Sequence, residues 1–565
     1  MSIGKLRFIR LKHLVITFLL IHVSGIAGVR EMLYTRNTQE HLCEEKTKAP
    51  ELRYLLFKGC HTNISESNNS EYPSVSVKGL FVPDEEKFLN KMKPFLGDPI
   101  SPDILESIKK EVVHYYQAKG YPIVNAVIPE QDITCGQLVI VIVIGELGAV
   151  HSEGAKFFSN EKIAAMIRTK SGEPIRSNRM GEDLDWINNN PFRSTQLIYE
   201  PGSEVGTTDV TLLTKDHFPL KVYGGYQNTG NIIAGRSRYY SGIDYGNLWG
   251  IGHRINYQWT FADSFNKWHA QSGNYVIPLP WRNYLEFFGA YVKTKPPKNE
   301  DTDLNGNSWQ IRSRYVIPFR AFGSWKNNTS MSYEFKRTNN FLAFATDQTF
   351  DSSIDISQFV MGYGCDITYQ KGNCSFEVLL YISPGGMTAY NHDDNFSQER
   401  SGAKSNYIYG TFRFDQTLIL PRKFSWVLNT LFQQASGKLL PSEEISLGGY
   451  ATVRGYDENE VIGDNGLLIK NEVRSPPFSM FRTKKISHQL QCLVFLDFGY
   501  TYDADQSILV DTTEVLASIG PGVRYAFGEY LTLRFDYGWQ LDSIMRKVDD
   551  SHRHSMGHFG LQASF

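Results

Sequence analysis

Apolar and polar side chains alternate along much of residues 218–565, and this pattern limits the possible folds more than any other feature of the chain. In the segment LTLRFDYGWQL, the apolar and aromatic residues share one face of a strand, and polar or small residues share the other. The segment RINYQWTF repeats the pattern, and the final segment HFGLQASF places Phe559, Leu561, Ala563 and Phe565 on one side. Such strands form either a soluble β-sandwich or a membrane β-barrel.

The end of the chain and its length favour the barrel. A terminal aromatic residue, here Phe565, on a final amphipathic strand resembles the signal of bacterial outer-membrane barrels. A sheet in lipid has to close, because an open edge leaves backbone groups unsatisfied. Sharing residues 218–565 among about 16 strands leaves about 22 residues for each strand and its connection, although about 14 or 18 strands also fit this length. The predicted fold class is therefore α+β modules followed by a transmembrane antiparallel β-barrel of about 16 strands.

Charge and hydropathy exclude two classes of protein. The chain has 58 Lys and Arg residues against 60 Asp and Glu residues, and its net charge of −2 argues against a nucleic-acid binder. Outside the N-terminus, apolar runs are shorter than the roughly 18 residues of a transmembrane helix, which excludes a polytopic helical membrane protein. Aromatic residues make up 13% of the chain, a content that suits amphipathic strands.

The first 28 residues have the pattern of a secretory signal peptide. A basic segment, Lys5–Lys12, precedes a short apolar run, Leu14–Ile21, and small residues up to Gly28 offer a cleavage site. The alternative is an N-terminal membrane anchor, for which the apolar run is short. Residues 29–74 are polar and without clear periodicity, and we predict that they form a linker.

Two α/β units are predicted between this linker and the barrel. The first covers residues 75–150 and contains a helix over Asp103–Lys119, because apolar residues recur there at helical spacing. The second covers residues 151–217, with helices near Glu161–Arg168 and Met180–Asn188 and two strands after them. Two successive units of about 70 residues indicate a repeated small module.

The six cysteines do not form a metal-binding pattern. In an exported chain, Cys43 could pair with Cys60, and Cys365 with Cys374 across a turn. Scattered free thiols are equally compatible with the sequence.

Several motifs between Val75 and Phe565 together resemble the outer-membrane transporters of two-partner secretion, of the TpsB or ShlB/FhaC type. Residues Tyr115–Val150 resemble the first POTRA domain of that family, and Leu184–Leu213 the second. The segment GGYQNTGNIIAGRSRYYSGIDYGNLWGIGHRINYQW resembles its first barrel strands. VRGYDENEVIGDNGLLIKNEVRSP resembles a diagnostic loop, and VFLDFG the strand that meets it.

The resemblance implies a specific site inside the barrel. It places the loop motif Val453, Arg454, Gly455 and Tyr456 in a loop that folds back into the lumen. There the guanidinium of Arg454 needs an acidic partner, and the resemblance makes Asp497 the best candidate on the barrel wall, because a carboxylate can meet the planar donor fork at two points.

Glu472 is a candidate second lumen carboxylate, with a solvated residue as the alternative. Residue type and spacing alone favour the alternative, in which Arg454 is a surface-loop arginine and Asp497 a solvated aspartate, and the resemblance reverses this preference. Residues 29–74 depart from the family, since they hold only two prolines where members often have a proline-rich stretch and a helix that plugs the barrel. Glu40–Lys48 is the candidate for such a helix.

The resemblance also implies a function. A transporter of this kind sits in the outer membrane of a Gram-negative bacterium with its POTRA modules in the periplasm. It captures an unfolded exoprotein of the TpsA type, such as a filamentous haemagglutinin or haemolysin, and secretes it without nucleotide or cofactor. Exposed sheet edges of the modules can bind an extended client as an added strand.

Three other functions fit the sequence less well. A barrel-assembly or surface-assembly factor of the same superfamily shares the loop, but usually has more modules than two. An outer-membrane enzyme such as a phospholipase needs a Ser/His motif that the sequence does not supply, and a passive porin does not need the modules. His552, His554 and His558 resemble a metal cluster, but they lack Cys or carboxylate support, which favours a solvated turn.

Overall fold

The computed structural model describes residues 50–59, 74–231, 235–265, 267–295, 306–321, 323–340, 349–479, 487–504, 512–541 and 554–565. The predicted signal peptide, the candidate helix Glu40–Lys48 and the Cys43–Cys60 pair lie outside these residues. The chain divides into two compact units, one up to Lys215 and one from Asp216 to Phe565, the second of which also includes two short segments. No helix in the described parts of the chain is both long and apolar enough to cross a membrane.

Two small α/β modules make up the first unit. Their helices are α1 (Glu85–Met92), α2 (Pro102–Ala118), α3 (Asn160–Ala164) and α4 (Ser177–Asn188), with a 3-10 turn at Lys93–Phe95. Their strands are β1 (Tyr54–Gly59), β2 (Ser74–Lys78), β3 (Val124–Val127), β4 (Gln137–Ile144), β5 (Glu146–Glu153), β6 (Arg193–Pro201) and β7 (Thr207–Asp216).

The first module is a four-stranded sheet, in the order β2-β1-β4-β3, covered by α1 and α2. Helix α2 begins where the Ser101 hydroxyl accepts a hydrogen bond from the backbone N–H of Ile104 at 3.3 Å, and Pro102 suits its first turn. It ends before Gly120, which adopts a φ of +89°. Its apolar face packs on the sheet through a cluster that includes Phe57, Phe88 and Tyr116.

The predicted start of the first module at residue 75 is wrong. Strand β1 lies within the predicted linker, pairs with β2 on one side and with β4 on the other, and is buried along its whole length. Its sequence, YLLFKG, is a short apolar run buried on both faces, so it lacks the alternation that marks a half-buried strand. The segment thus belongs to the core.

The predicted boundary between the modules at residue 150 is also wrong. Strand β4 ends at Ile144, and β5 begins at Glu146 in a separate sheet of order β5-β7-β6. Gly145 separates them, and a Cβ atom there would lie 2.6 Å from the Cγ2 atom of Ile123. The sequence does not mark this boundary, because a glycine inside an apolar run leaves the pattern of strand side chains unchanged.

Sixteen strands of the second unit form a closed barrel, which confirms the predicted number. They are β8 (Leu220–Gln227), β9 (Arg238–Leu248), β10 (His253–Phe261), β11 (Trp268–Pro278), β12 (Tyr284–Thr294), β13 (Gly306–Pro318), β14 (Trp325–Asn340), β15 (Thr349–Tyr369), β16 (Gly372–Pro384), β17 (Asn406–Ile419), β18 (Ser425–Ala435), β21 (Asn465–Arg474), β22 (His488–Tyr502), β23 (Glu514–Phe527), β24 (Leu531–Gln540) and β25 (Ser555–Ser564). The last strand pairs with the first, so the sheet closes.

The described residues of the second unit contain four shorter elements as well. Strands β19 (Ile445–Leu447) and β20 (Val461–Gly463) pair with each other inside the connection between β18 and β21. Helix α5 (Asp393–Glu399) lies between β16 and β17, and a 3-10 turn covers Pro421–Lys423.

The barrel strands present apolar side chains outward and polar ones inward. On β24, Phe535 and Trp539 are 46% and 49% exposed, whereas Asp536 between them is fully buried in the interior. The alternation predicted for this strand is therefore the outside and inside of a closed barrel, and the sandwich alternative is set aside.

The Cys365–Cys374 pair predicted as one alternative is not formed. Both are free thiols. The register of β15 and β16 places Cys374 opposite Ile367 and Cys365 opposite Phe376, so the two cysteines are offset by two residues along the ladder.

Candidate functional site

The connection between β18 and β21 folds into the barrel. Leu447, Val453 and Tyr456 of this connection pack with Leu468 and Leu516 of the wall in one buried apolar cluster. We call residues 436–464 the inner loop and residues 448–460 its tip. The packing explains how a loop rich in glycine and charge becomes part of the interior, since its apolar residues replace solvent on the wall.

Arg454 lies at the centre of the tip and is 1% exposed. Its Nε and Nη2 atoms donate to the two carboxylate oxygens of Asp497 at 2.7 and 2.8 Å, and its Nη1 atom donates to Glu472 at 2.6 Å. The backbone N–H of Arg454 also donates to Asp497, at 3.2 Å. A guanidinium can make this two-point contact because its donors form a rigid planar fork.

Charged side chains of both signs surround Arg454 within the lumen. Arg474 donates to Glu472 at 2.7 Å, and Arg524 donates to both oxygens of Asp536 at 2.8 and 2.9 Å. Asp536 also lies 3.8 Å from the Nη1 atom of Arg454. Three guanidinium groups thus face three buried carboxylates, an arrangement that avoids the large penalty of an unpaired buried charge.

Close backbone contact fixes the residues after Arg454. Gly455 has a φ of +95°, and a Cβ atom on Gly538 of β24 would lie 2.7 Å from the Gly455 nitrogen. Glycine at both positions therefore allows the tip to touch the wall. The hydroxyl of Tyr456 donates to the backbone oxygen of Ala517 at 2.9 Å, which holds the chain on the other side.

The stem of the inner loop has its own polar contacts. The carboxylate of Glu443 accepts from Lys336 at 2.7 Å, from Gln358 at 3.0 Å and from the hydroxyl of Tyr409 at 2.8 Å. At the end of the loop, Asp464 pairs with Arg400, which comes from the connection between β16 and β17. The loop is thus held at its stem as well as at its tip.

One group of carboxylates in the described residues has the spacing of a metal site. Glu444, Asp464 and Asp503 offer oxygens within 4.8 Å of one another. The guanidinium of Arg400 lies among them, at 2.5 Å from Glu444, 2.5 Å from Asp464 and 2.8 Å from Asp503. Arg400 thus supplies the positive charge of this group.

The structure brings together all the residues singled out for this site. Val453 is buried in the apolar cluster, Arg454 contacts both Asp497 and Glu472, and Gly455 and Tyr456 touch the wall. The surface-loop alternative for Arg454 and Asp497 is wrong for the described residues, because both side chains are buried.

Sequence reasoning missed two residues of the site. Asp536 was placed on the polar face of its strand without a role, and His558 was assigned to a solvated turn. His558 instead lies within β25, is fully buried, and accepts a hydrogen bond from the N–H of Gly455 at 2.9 Å. His554 is exposed, and His552 lies outside the described residues. The alternation in LTLRFDYGWQL places Asp536 on the inner face of its strand. The same alternation in HFGLQASF places His558 on the inner face of the last strand.

Each of the two module sheets has an outer strand at either edge. Strands β2 and β3 are the outer strands of the first sheet, and β5 and β6 are those of the second. An outer strand has backbone N–H and C=O groups on one side that can pair with another chain.

Residues 206–525 match the family model described as haemolysin secretion/activation protein ShlB/FhaC/HecB, and residues 71–145 match that of the POTRA domain, ShlB-type. The heme/hemopexin transporter protein HuxB of Haemophilus influenzae (strain 86-028NP) is 21% identical over 513 residues, which cover 88% of this chain and 86% of that protein. The solved structure of CdiB from Escherichia coli superposes with a TM-score of 0.72 at 15% identity, over 95% of this chain and 96% of the other. CdiB from Acinetobacter baumannii gives a TM-score of 0.62 at 16% identity, over 96% of each chain.

Proposed function

Because this chain belongs to the haemolysin secretion/activation protein family ShlB/FhaC/HecB, whose members are two-partner secretion transporters of the outer membrane, we propose that it captures one unfolded exoprotein in the periplasm and exports it through its barrel. The observation that carries this proposal is the inner loop, which Arg454 fixes to Asp497 and Glu472 inside a closed barrel.

Capture takes place on the modules. An unfolded exoprotein has unpaired backbone groups, and the outer strands of the two module sheets can pair with them as with an added strand. Main-chain pairing binds an extended segment with little dependence on its sequence, while side-chain pockets give specificity. This suits a transporter that has to hold successive segments of a long client and release each of them.

Passage takes place beside the inner loop. The motif Val453, Arg454, Gly455 and Tyr456 forms the part of the tip that contacts the wall, and Asp497 and Glu472 are its acidic partners there. We assign to this contact the control of the resting conformation of the loop. The charges of Arg454, Arg474 and Arg524 are paired with carboxylates of the lumen, so an extended polypeptide passes charged groups that already have partners.

The partner is an exoprotein of the TpsA type, resembling filamentous haemagglutinins and haemolysins. HuxB is named as a heme/hemopexin transporter, and the relatives called CdiB are named as outer membrane transporters. Export uses no nucleotide, and folding of the client outside the cell supplies the driving force.

A co-expression experiment tests the proposal. We expect a large exoprotein encoded beside this chain to appear in the culture medium when both are produced in Escherichia coli, and to stay in the periplasm when the transporter is omitted. The measurement is the fraction of exoprotein in the medium, with a periplasmic marker protein as the control for cell lysis. Equal amounts of exoprotein in the medium with and without the transporter would refute the proposed function.

A further inference from the structure

Two wall side chains hold the peptide groups on either side of Gly455. The Nε2 atom of His558, on β25, accepts a hydrogen bond from the N–H of Gly455 at 2.9 Å. The side-chain amide of Gln540, at the end of β24, donates to the backbone oxygen of Gly455 at 2.8 Å. Both contacts are hydrogen bonds to the backbone of the loop, and neither involves the guanidinium of Arg454.

The burial and the neighbours of His558 define the position and the tautomer of its ring. Its side chain is fully buried, and the register of β24 and β25 places it opposite Asp536, the carboxylate that pairs with Arg524. The ring of Tyr450, also from the tip, lies 6.3 Å away from centroid to centroid. An imidazole nitrogen accepts a hydrogen bond only when it carries no proton, so the contact fixes His558 as the tautomer protonated at Nδ1.

We propose that His558 and Gln540 are positioning residues that dock the tip of the inner loop on the last two strands. Gly455 lies between Arg454 and Tyr456, so a fixed Gly455 sets where each of these side chains meets the wall. The assignment rests on the proposed function, because it gives the docked loop its role in export.

The backbone contacts and the charge network act on the same segment by different chemistry. Asp497 and Glu472 attract Arg454 through charge, whereas His558 and Gln540 satisfy a backbone donor and acceptor that would otherwise be buried without partners. An apolar side chain at position 558 leaves the Gly455 N–H unsatisfied. The undocked population of the tip should then rise by about tenfold.

The test measures docking directly. A Val453→Cys reporter is introduced into a chain whose native cysteines are replaced by serine, and its reaction rate with a maleimide is followed in the folded barrel. Val453 is fully buried in the docked loop, so the rate reports the undocked population. The variants are His558→Leu, which removes the acceptor, and His558→Gln, which offers an amide oxygen at similar reach.

We expect about tenfold faster labelling for His558→Leu and a rate within about twofold of the reference for His558→Gln. Gln562→Leu is the matched control, because Gln562 lies on the same strand and contacts Tyr240 of the wall, and it should label at the reference rate. Labelling of His558→Leu at the reference rate would overturn the proposal. So would equal acceleration by leucine and glutamine, because the position would then matter through packing alone.

Heat-modifiable migration in gels shows whether His558→Leu inserts in the membrane. If it does not, Gln540→Leu provides a second test of the proposal. This variant leaves the Gly455 oxygen without its donor, so about tenfold faster labelling is expected and an unchanged rate would count against the assignment. Labelling does not require a client. A chain that docks its loop as described but exports nothing would refute the proposed function and leave the positioning of Gly455 intact.

Discussion

Replacing Arg454 by alanine is expected to abolish export of the exoprotein while the barrel still inserts in the membrane. The change leaves Asp497 and Glu472 buried without their shared guanidinium, and removing one partner of a buried ion pair costs about 3–5 kcal/mol. A destabilisation of that size lowers the equilibrium constant between the docked and undocked tip by at least about a hundredfold. The strand ladders do not involve this side chain, so insertion is expected to persist. Exoprotein in the medium and heat-modifiable migration of the transporter are the two measurements.

Arg254→Ala is the matched control for this prediction. Arg254 also pairs with a carboxylate of the wall, Asp244, but it lies on β10, and the pair does not involve the inner loop. We expect near-normal export from this variant. Wild-type export by Arg454→Ala would remove the inner loop from the mechanism.

Arg454→Lys separates charge from geometry. An ammonium group keeps the charge but cannot meet both oxygens of Asp497 and also Glu472 in the fixed geometry of a fork. We therefore expect partial export from Arg454→Lys.

The double exchange Arg454→Asp with Asp497→Arg is expected to restore only a little export, because an aspartate at position 454 still faces Glu472 and Asp536.

Deleting residues 50–215 is expected to give a barrel that conducts ions but exports nothing. The deletion begins before β1 because that strand is a central strand of the first module, and a cut at residue 75 would leave it without its partners. The barrel ladder runs from Leu220 to Ser564 and closes through β8 and β25, so it keeps all of its strand pairs. The capture surfaces are lost with the module sheets.

Planar-bilayer conductance and export into the medium measure the two halves of this prediction. Conductance in the truncated chain is the control that the barrel has formed. Continued export by such a chain would show that the modules do not capture the client.

The barrel could be predicted from the sequence because its signal is local. The alternation in LTLRFDYGWQL and HFGLQASF depends only on the two-residue period of a strand, and the structure shows the two faces as expected. Helix α2 was predicted for the same reason, since its apolar residues recur at helical spacing. Strand β1 was missed because a strand buried on both faces has no alternation to detect.

The site was predicted only in part, because it depends on which strands lie side by side. Residue type and spacing alone favour two solvated residues for Arg454 and Asp497, and only the family resemblance favours a pair in the lumen. The contacts with Asp536 and His558 require the register of β24 and β25, which follows from closure of the whole barrel. His558 also stands next to a run of histidines and polar residues that looks like a turn.

Site-specific crosslinking to a stalled exoprotein tests whether the client passes through the lumen. Thr411 shares the inner face of β17 with Tyr409, whose hydroxyl contacts Glu443 of the inner loop, and the adjacent Phe412 is 39% exposed on the outer surface. A photoreactive side chain at position 411 should crosslink the client, and the same side chain at position 412 should not. Crosslinks at position 412 with none at position 411 would contradict export through the barrel.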